Sequence, residues 1–184
     1  MVRIACLGWG SLIWDPRDLP VEGQWFEDGP LLPIEFVRQS NDGRLTLVIN
    51  NVARPVRTLW SFFSKSVSDV QSARIALKCR EGTSIENIGA WNKLDNQKGP
   101  LAEIMSDWAG RLNLDAVIWT ALPPKFKGKS EIIIDEDGAV KYLRELPYEK
   151  HEKAKKYICN APQQIDTLYR RRFEREFGWK MCKK

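Results

Sequence analysis

The chain has 184 residues, 43% of them hydrophobic and 29% charged, the balance of a soluble globular protein and not of a disordered one. No apolar run approaches the roughly 20 residues that a membrane-spanning helix needs, which excludes a spanning segment and a membrane partner of that kind. The net charge of +5 is local, because residues 149–184 hold 11 Lys and Arg against 5 Asp and Glu while the preceding 148 hold 18 against 19.

The opening MVRIACLGWGSLIWD meets Asp15 and Pro16 at once and carries no small-residue cleavage pattern, so it reads as strand and loop in a cytoplasmic protein. Residues 3–7 are predicted as a buried strand, followed by a glycine-bearing loop over 8–14. Residues 15–30, rich in Asp, Pro and Gly, form a surface loop. Residues 32–39 and 45–50 are a hairpin turned by Asn41, Asp42 and Gly43, and residues 56–63 are one further strand of β-branched and aromatic residues. Helical periodicity then begins. Ser66 or Ser68 can cap a helix with Val70, Ala73, Ala76 and Leu77 on one face, followed by a polar connection over 80–87.

A short apolar segment, 88–91, precedes a helix over 100–112 with Pro100 in its first turn. Residues 116–122 are a strand closed by Pro123 and Pro124, and three helices, near 135–145, 149–159 and 162–177, finish the chain. No repeat, low-complexity tract or linker interrupts this order. The expected architecture is one α+β domain over 1–184, with a mixed, barrel-like sheet, packed helices and a basic helical region over 149–184.

Residue counts narrow the chemistry further. The single histidine, His151, sits in the charged stretch EKHEKAKK and reads as solvated. A histidine-rich metal site cannot be built, and a Ser-His-Asp or Cys-His arrangement would depend on that one residue. Cys6, Cys79, Cys159 and Cys182 are scattered without a paired spacing, so no disulfide framework is expected. Cys6 and Cys79 read as buried thiols and Cys182 as part of an exposed basic tail. Proton chemistry would then run through carboxylates, lysines or tyrosines.

The sharpest motif is Gly8-Trp9-Gly10-Ser11-Leu12-Ile13-Trp14, directly after the first strand. Two glycines so spaced let the backbone turn sharply and approach a ligand, and successive amides in such a turn suit a carboxylate or a developing oxyanion. The motif lacks the third glycine of a dinucleotide fingerprint and the Gly-Lys-Ser/Thr of a phosphate loop. On pattern alone it reads first as a structural turn. Glu81 follows the helix over 70–79, beside Gly82 and between apolar segments, where it either faces a cleft or pairs with Arg80 at the surface.

GWGSLIW resembles the G-Y-G-S-L-I-W loop of the cation-transport-regulator branch of the γ-glutamylcyclotransferase family, with one change in seven positions. Residues 56–63 are similar to that family's V-W-G-V-A-Y strand, and Leu77-Lys78-Cys79-Arg80-Glu81-Gly82 to its Leu-x-x-R-E stretch. The likeness spans roughly residues 3–91 and implies a γ-glutamylcyclotransferase-like fold. It implies that Gly8, Trp9, Gly10, Ser11, Leu12 and Ile13 bind the γ-glutamyl part of a small-molecule substrate, and that Glu81 is the catalytic carboxylate. No cofactor or metal is implied.

Cyclising a γ-glutamyl amide to 5-oxoproline needs one group to take a proton from the α-amine and return it to the leaving nitrogen. A single carboxylate can do both when burial brings its proton affinity toward neutrality. Trp9 in place of the family's tyrosine, and Gly82-Thr83-Ser84 in place of its Lys-Gly-Gly-Tyr, leave the substrate open. A non-catalytic ligand-binding relative is the alternative reading. Nucleic-acid binding by the basic helices is disfavoured, because acids alternate with the bases.

Among other candidates, alternation turns Glu35 of LLPIEFV away from the core. Asp15 and Asp18 could line a mouth, Tyr157 or Tyr169 could supply a hydroxyl, and Trp9 and Trp14 could wall a pocket.

Overall fold

The structure, a computed structural model, describes residues 2–95 and 97–180. Cys182 lies outside the described residues. In chain order the strands are β1 (Ile4–Gly8), β2 (Leu31–Gln39), β3 (Leu45–Ile49), β4 (Pro55–Arg57), β5 (Leu59–Phe62), β6 (Ile88–Asn92) and β7 (Ala116–Thr120), then the short β8 (Lys125–Phe126) and β9 (Lys129–Ser130). The helices are α1 (Val70–Glu81), α2 (Pro100–Arg111), α3 (Glu136–Arg144), α4 (Tyr148–Asn160) and α5 (Leu168–Phe177), with one 3-10 turn at Ile85–Asn87. The protein is thus mixed α+β, with two sheets and five α-helices among the described residues. Both sheets mix parallel and antiparallel pairs, as expected, but the strands divide between them instead of forming one sheet.

The chain forms two compact units interleaved in sequence. The first comprises Met1–Gly8, Asp15–Leu31 and Arg57–Ala121; the second comprises Trp9–Trp14, Leu32–Val56 and Leu122–Lys184.

The first unit is built on a sheet of order β5-β1-β7-β6, in which β1 and β7 run parallel and every other pair is antiparallel. The apolar run of β1 is buried throughout, as a central strand covered on both faces must be. Helices α1 and α2 pack on β6 and β7. Asp69, not Ser66 or Ser68, caps α1 by accepting from the Ser72 amide at 2.8 Å. Gly82 ends the helix in the left-handed region at φ 60°, a conformation that favours glycine. The buried face of α1 is Ala73, Leu77 and Arg80, so helix replaces the expected polar connection through Glu81. Cys79 falls on the opposite face and is exposed, contrary to expectation.

In the second unit β2 and β3 form the expected hairpin, β4 and β8 also pair with β2, and β9 pairs with β8. Residues 56–63 are therefore not one strand. Thr58 breaks the run: it is fully buried, and both its amide and its hydroxyl donate to the Pro30 carbonyl, at 3.1 and 2.8 Å. Helix α5 begins six residues later than expected. The buried Arg170 guanidinium donates to the carbonyls of Ala161, Pro162 and Ile165, holding 161–166 as an irregular turn, and Thr167 caps the helix. No helix among the described residues is long and apolar enough to cross a membrane.

Candidate functional site

Glu81 is the last residue of α1, and its neighbours in the first unit are specific. Its Oε1 accepts from Arg80 Nη1 at 2.8 Å and from the Thr120 hydroxyl at 3.3 Å. The side chains of Arg80 and Glu81 are only 5% and 16% exposed, so this pair is not the surface ion pair considered from sequence. Nor is the carboxylate alone in a cleft.

Thr120 ends β7 just as Gly8 ends β1, two residues beyond the paired Cys6 and Ile118. Gly8, Thr120 and Glu81 therefore share the carboxyl end of the one parallel strand pair in this sheet, the end at which open α/β sheets present their ligand sites. Cys6 lies within electrostatic reach of Glu81. Burial first, and then the carboxylate's charge, push its thiol well above the ordinary cysteine range, so it is an inert neighbour.

The chain leaves this unit at Gly8 and re-enters it at Asp15. Asp15 does not contribute its carboxylate, which meets Arg17 at 3.5 Å in an exposed pair. Its carbonyl is what matters, because Arg80 Nη2 donates to it at 2.6 Å. Asp18 is exposed.

The intervening loop belongs to the second unit. It turns tightly, with the Ile13 amide donating to the Gly10 carbonyl at 3.0 Å. Glycine suits position 10 for space: a Cβ would stand 2.5 Å from the Tyr157 hydroxyl, which would have to shift. Trp9 does not wall a pocket. It is buried, and its indole N–H donates to the Leu47 carbonyl at 3.2 Å. Leu12 is buried as well, whereas Ser11 and Ile13 are half-buried. Trp14 meets Tyr157 edge-on with ring centroids 5.4 Å apart, so of the two tyrosines Tyr157 is the one at the loop. The Tyr169 hydroxyl instead donates to the Ile134 carbonyl at 2.8 Å, and burial together with the charge of Glu35 pushes it up to about 12.

Glu35 reverses its sequence expectation. Residues 34–37 of β2 are all buried and the pairing with β3 shifts register between Glu35 and Arg38, so alternation fails and Glu35 points inward at 4% exposure. It accepts from the Thr167 hydroxyl at 2.5 Å, its neighbouring Phe36 amide at 2.9 Å and the Tyr169 amide at 3.3 Å. Burial outweighs these donors and raises its carboxyl above the ordinary range.

His151 is half-buried against the Trp179 ring at 5.0 Å, not solvated. The α5 arginines are paired with acids: Arg170 with Glu174, Arg171 with Asp166, Arg172 with Asp137 and Glu176, and Arg175 with Glu136.

Two open cavities of about 480 and 640 Å³ lie in the first unit near the amino ends of β1 and α1, lined by Arg3, Phe62 and Lys65 and by Asp69, Leu94 and Asp115. Neither includes Glu81. Among the described residues, no three His, Cys, Asp or Glu side chains are grouped as metal ligands would be. No family model matches the chain, and no curated protein or solved structure is significantly similar to it.

Proposed function

We propose that the protein is a γ-glutamylcyclotransferase-like enzyme that converts a γ-glutamyl amide or amine to 5-oxoproline and a free amine. The observation that carries this reading is the Glu81 carboxylate, largely buried, oriented by Arg80 and Thr120, and set at the carboxyl end of the parallel strand pair. Both of these bonds fall on Oε1, which leaves acceptor capacity on Oε2. The substrate's α-amine attacks its own γ-carbonyl carbon, and the new C–N bond forms as the carboxylate takes the amine proton. Glu81 returns the proton to the departing nitrogen as its bond to the γ-carbon breaks. Atoms and protons balance without water or cofactor. Because the reaction is intramolecular, holding the chain bent supplies much of the rate.

The second reading is a ligand-binding relative without turnover, favoured by the fact that Arg80 and Thr120 both bond the same carboxylate oxygen, as a purely structural ion pair would. One experiment separates the two. Wild type and Glu81→Gln are incubated with glutathione, γ-glutamyl dipeptides and γ-glutamyl amines, 5-oxoproline is followed by mass spectrometry, and binding by calorimetry. Product from wild type alone, with binding kept in Glu81→Gln, supports the enzyme. Binding without product from either supports the second reading.

A further inference from the structure

Arg80 occupies a position that packing alone would give to an apolar residue. Ala73, Leu77 and Arg80 form the buried stripe of α1, and leucine or methionine at 80 would complete it without desolvating a charge. The guanidinium instead spans two acceptors from different parts of the first unit. Nη1 donates to Glu81 Oε1 at 2.8 Å and Nη2 to the Asp15 carbonyl at 2.6 Å, while the Arg80 carbonyl accepts from Arg17 Nη1 at 3.3 Å. One planar, permanently charged group thus ties the carboxylate to the main chain at the point where it resumes after Trp14.

We infer that Arg80 is the positioning residue of the site, fixing the rotamer of Glu81 and the main chain at Asp15 together, so that neither can shift without the other. This rests on Glu81 as the proton carrier. A lysine cannot substitute, because its ammonium lacks the rigid fork of N–H groups that reaches two separated acceptors in one plane. Acting through Glu81 and Asp15, Arg80 governs turnover more than substrate affinity.

The test uses the full chain with Arg80→Ala, Arg80→Lys and Arg74→Met. The last removes a half-buried guanidinium that bonds the Ile85 and Ile88 carbonyls from the same helix, and controls for general loosening of α1. In 5-oxoproline release, Arg80→Ala lowers kcat by about 100-fold, the cost of a misplacement near 1 Å, with KM little changed. Added guanidinium restores a large part of it, and Arg80→Lys stays well below wild type. A loss confined to KM, or none, overturns the inference.

A second readout needs no turnover: carbodiimide labelling of Glu81, read by peptide mass spectrometry. Labelling is about tenfold faster in Arg80→Ala, the worth of one charged hydrogen bond, and unchanged in Arg74→Met. Equal Glu81 labelling in wild type, Arg80→Ala and Arg80→Lys overturns the role of Arg80. A wild type that labels as expected but releases no 5-oxoproline from any γ-glutamyl compound overturns the cyclising reaction and leaves the tether intact.

Discussion

The two units each set a glutamate against the end of a helix, Glu81 largely buried and Glu35 fully so, and they do so at opposite ends. In the first, Glu81 closes α1 at its C-terminus, where the unpaired carbonyls carry partial negative charge and an acid is unwelcome. The compensation is a full cation, Arg80, drawn inside with it. In the second, Glu35 faces the N-terminus of α5, where an amide and the capping hydroxyl of Thr167 point at it. Only dipoles meet it there, among its described partners there is no cation, and burial outweighs them. A helix C-terminus offers no such donors, so the carboxylate held there needs a dedicated cation.

This contrast can be broken in several places, taken here in order of expected effect on stability. Arg80→Met leaves a nearly buried carboxylate without its cation and should cost about 3 kcal/mol in urea unfolding. Combining it with Glu81→Gln should recover at least ~1 kcal/mol of that loss. Additive losses would mean that the pair is not coupled. Thr167→Val removes both the cap of α5 and the shortest bond to Glu35, with an expected cost of about 1.5 kcal/mol in the same assay.

The smallest effect is a pH dependence. Burial raises the Glu35 carboxyl above its ordinary 4.5, so the folded state holds a proton that the unfolded state has released. Its contribution to stability therefore falls as pH rises from about 4.5 toward the raised value. Glu35→Gln should match wild type in acid and gain on it as pH rises through that window. A gap that shrinks with rising pH would mean that the donors outweigh burial.

Much of this fold was legible in the sequence. The buried β1, the hairpin and its turn, α2, α3 and β7 follow from apolar periodicity and turn residues within a few positions of each other. The failures share a physical cause, which is control from a distance. Nothing within 56–63 announces that Thr58 will bond Pro30 and end one strand, and the turn over 161–166 depends on a guanidinium from α5. The start of α5 was partly readable, since Thr167 is a good N-cap. Glu35 departs from alternation because alternation assumes one wet face, and this stretch of β2 has none.

At the candidate site, Glu81 stands out through its surroundings and the family likeness, whereas the sequence offers Arg80 only as a surface partner. Its signal was present. Spacings of seven from Ala73 and three from Leu77 put it on the apolar stripe, and a charge on such a stripe asks for a buried partner. Thr120 carries no signal beyond its place inside an apolar strand read over 116–122.

The central claim, that Glu81 and not Glu35 moves the proton, is tested most directly by 5-oxoproline release from γ-glutamyl substrates by wild type, Glu81→Gln and Glu35→Gln measured side by side. The account predicts a loss on the order of a thousandfold in Glu81→Gln and a rate close to wild type in Glu35→Gln. Release by folded Glu81→Gln at the wild-type rate would contradict it.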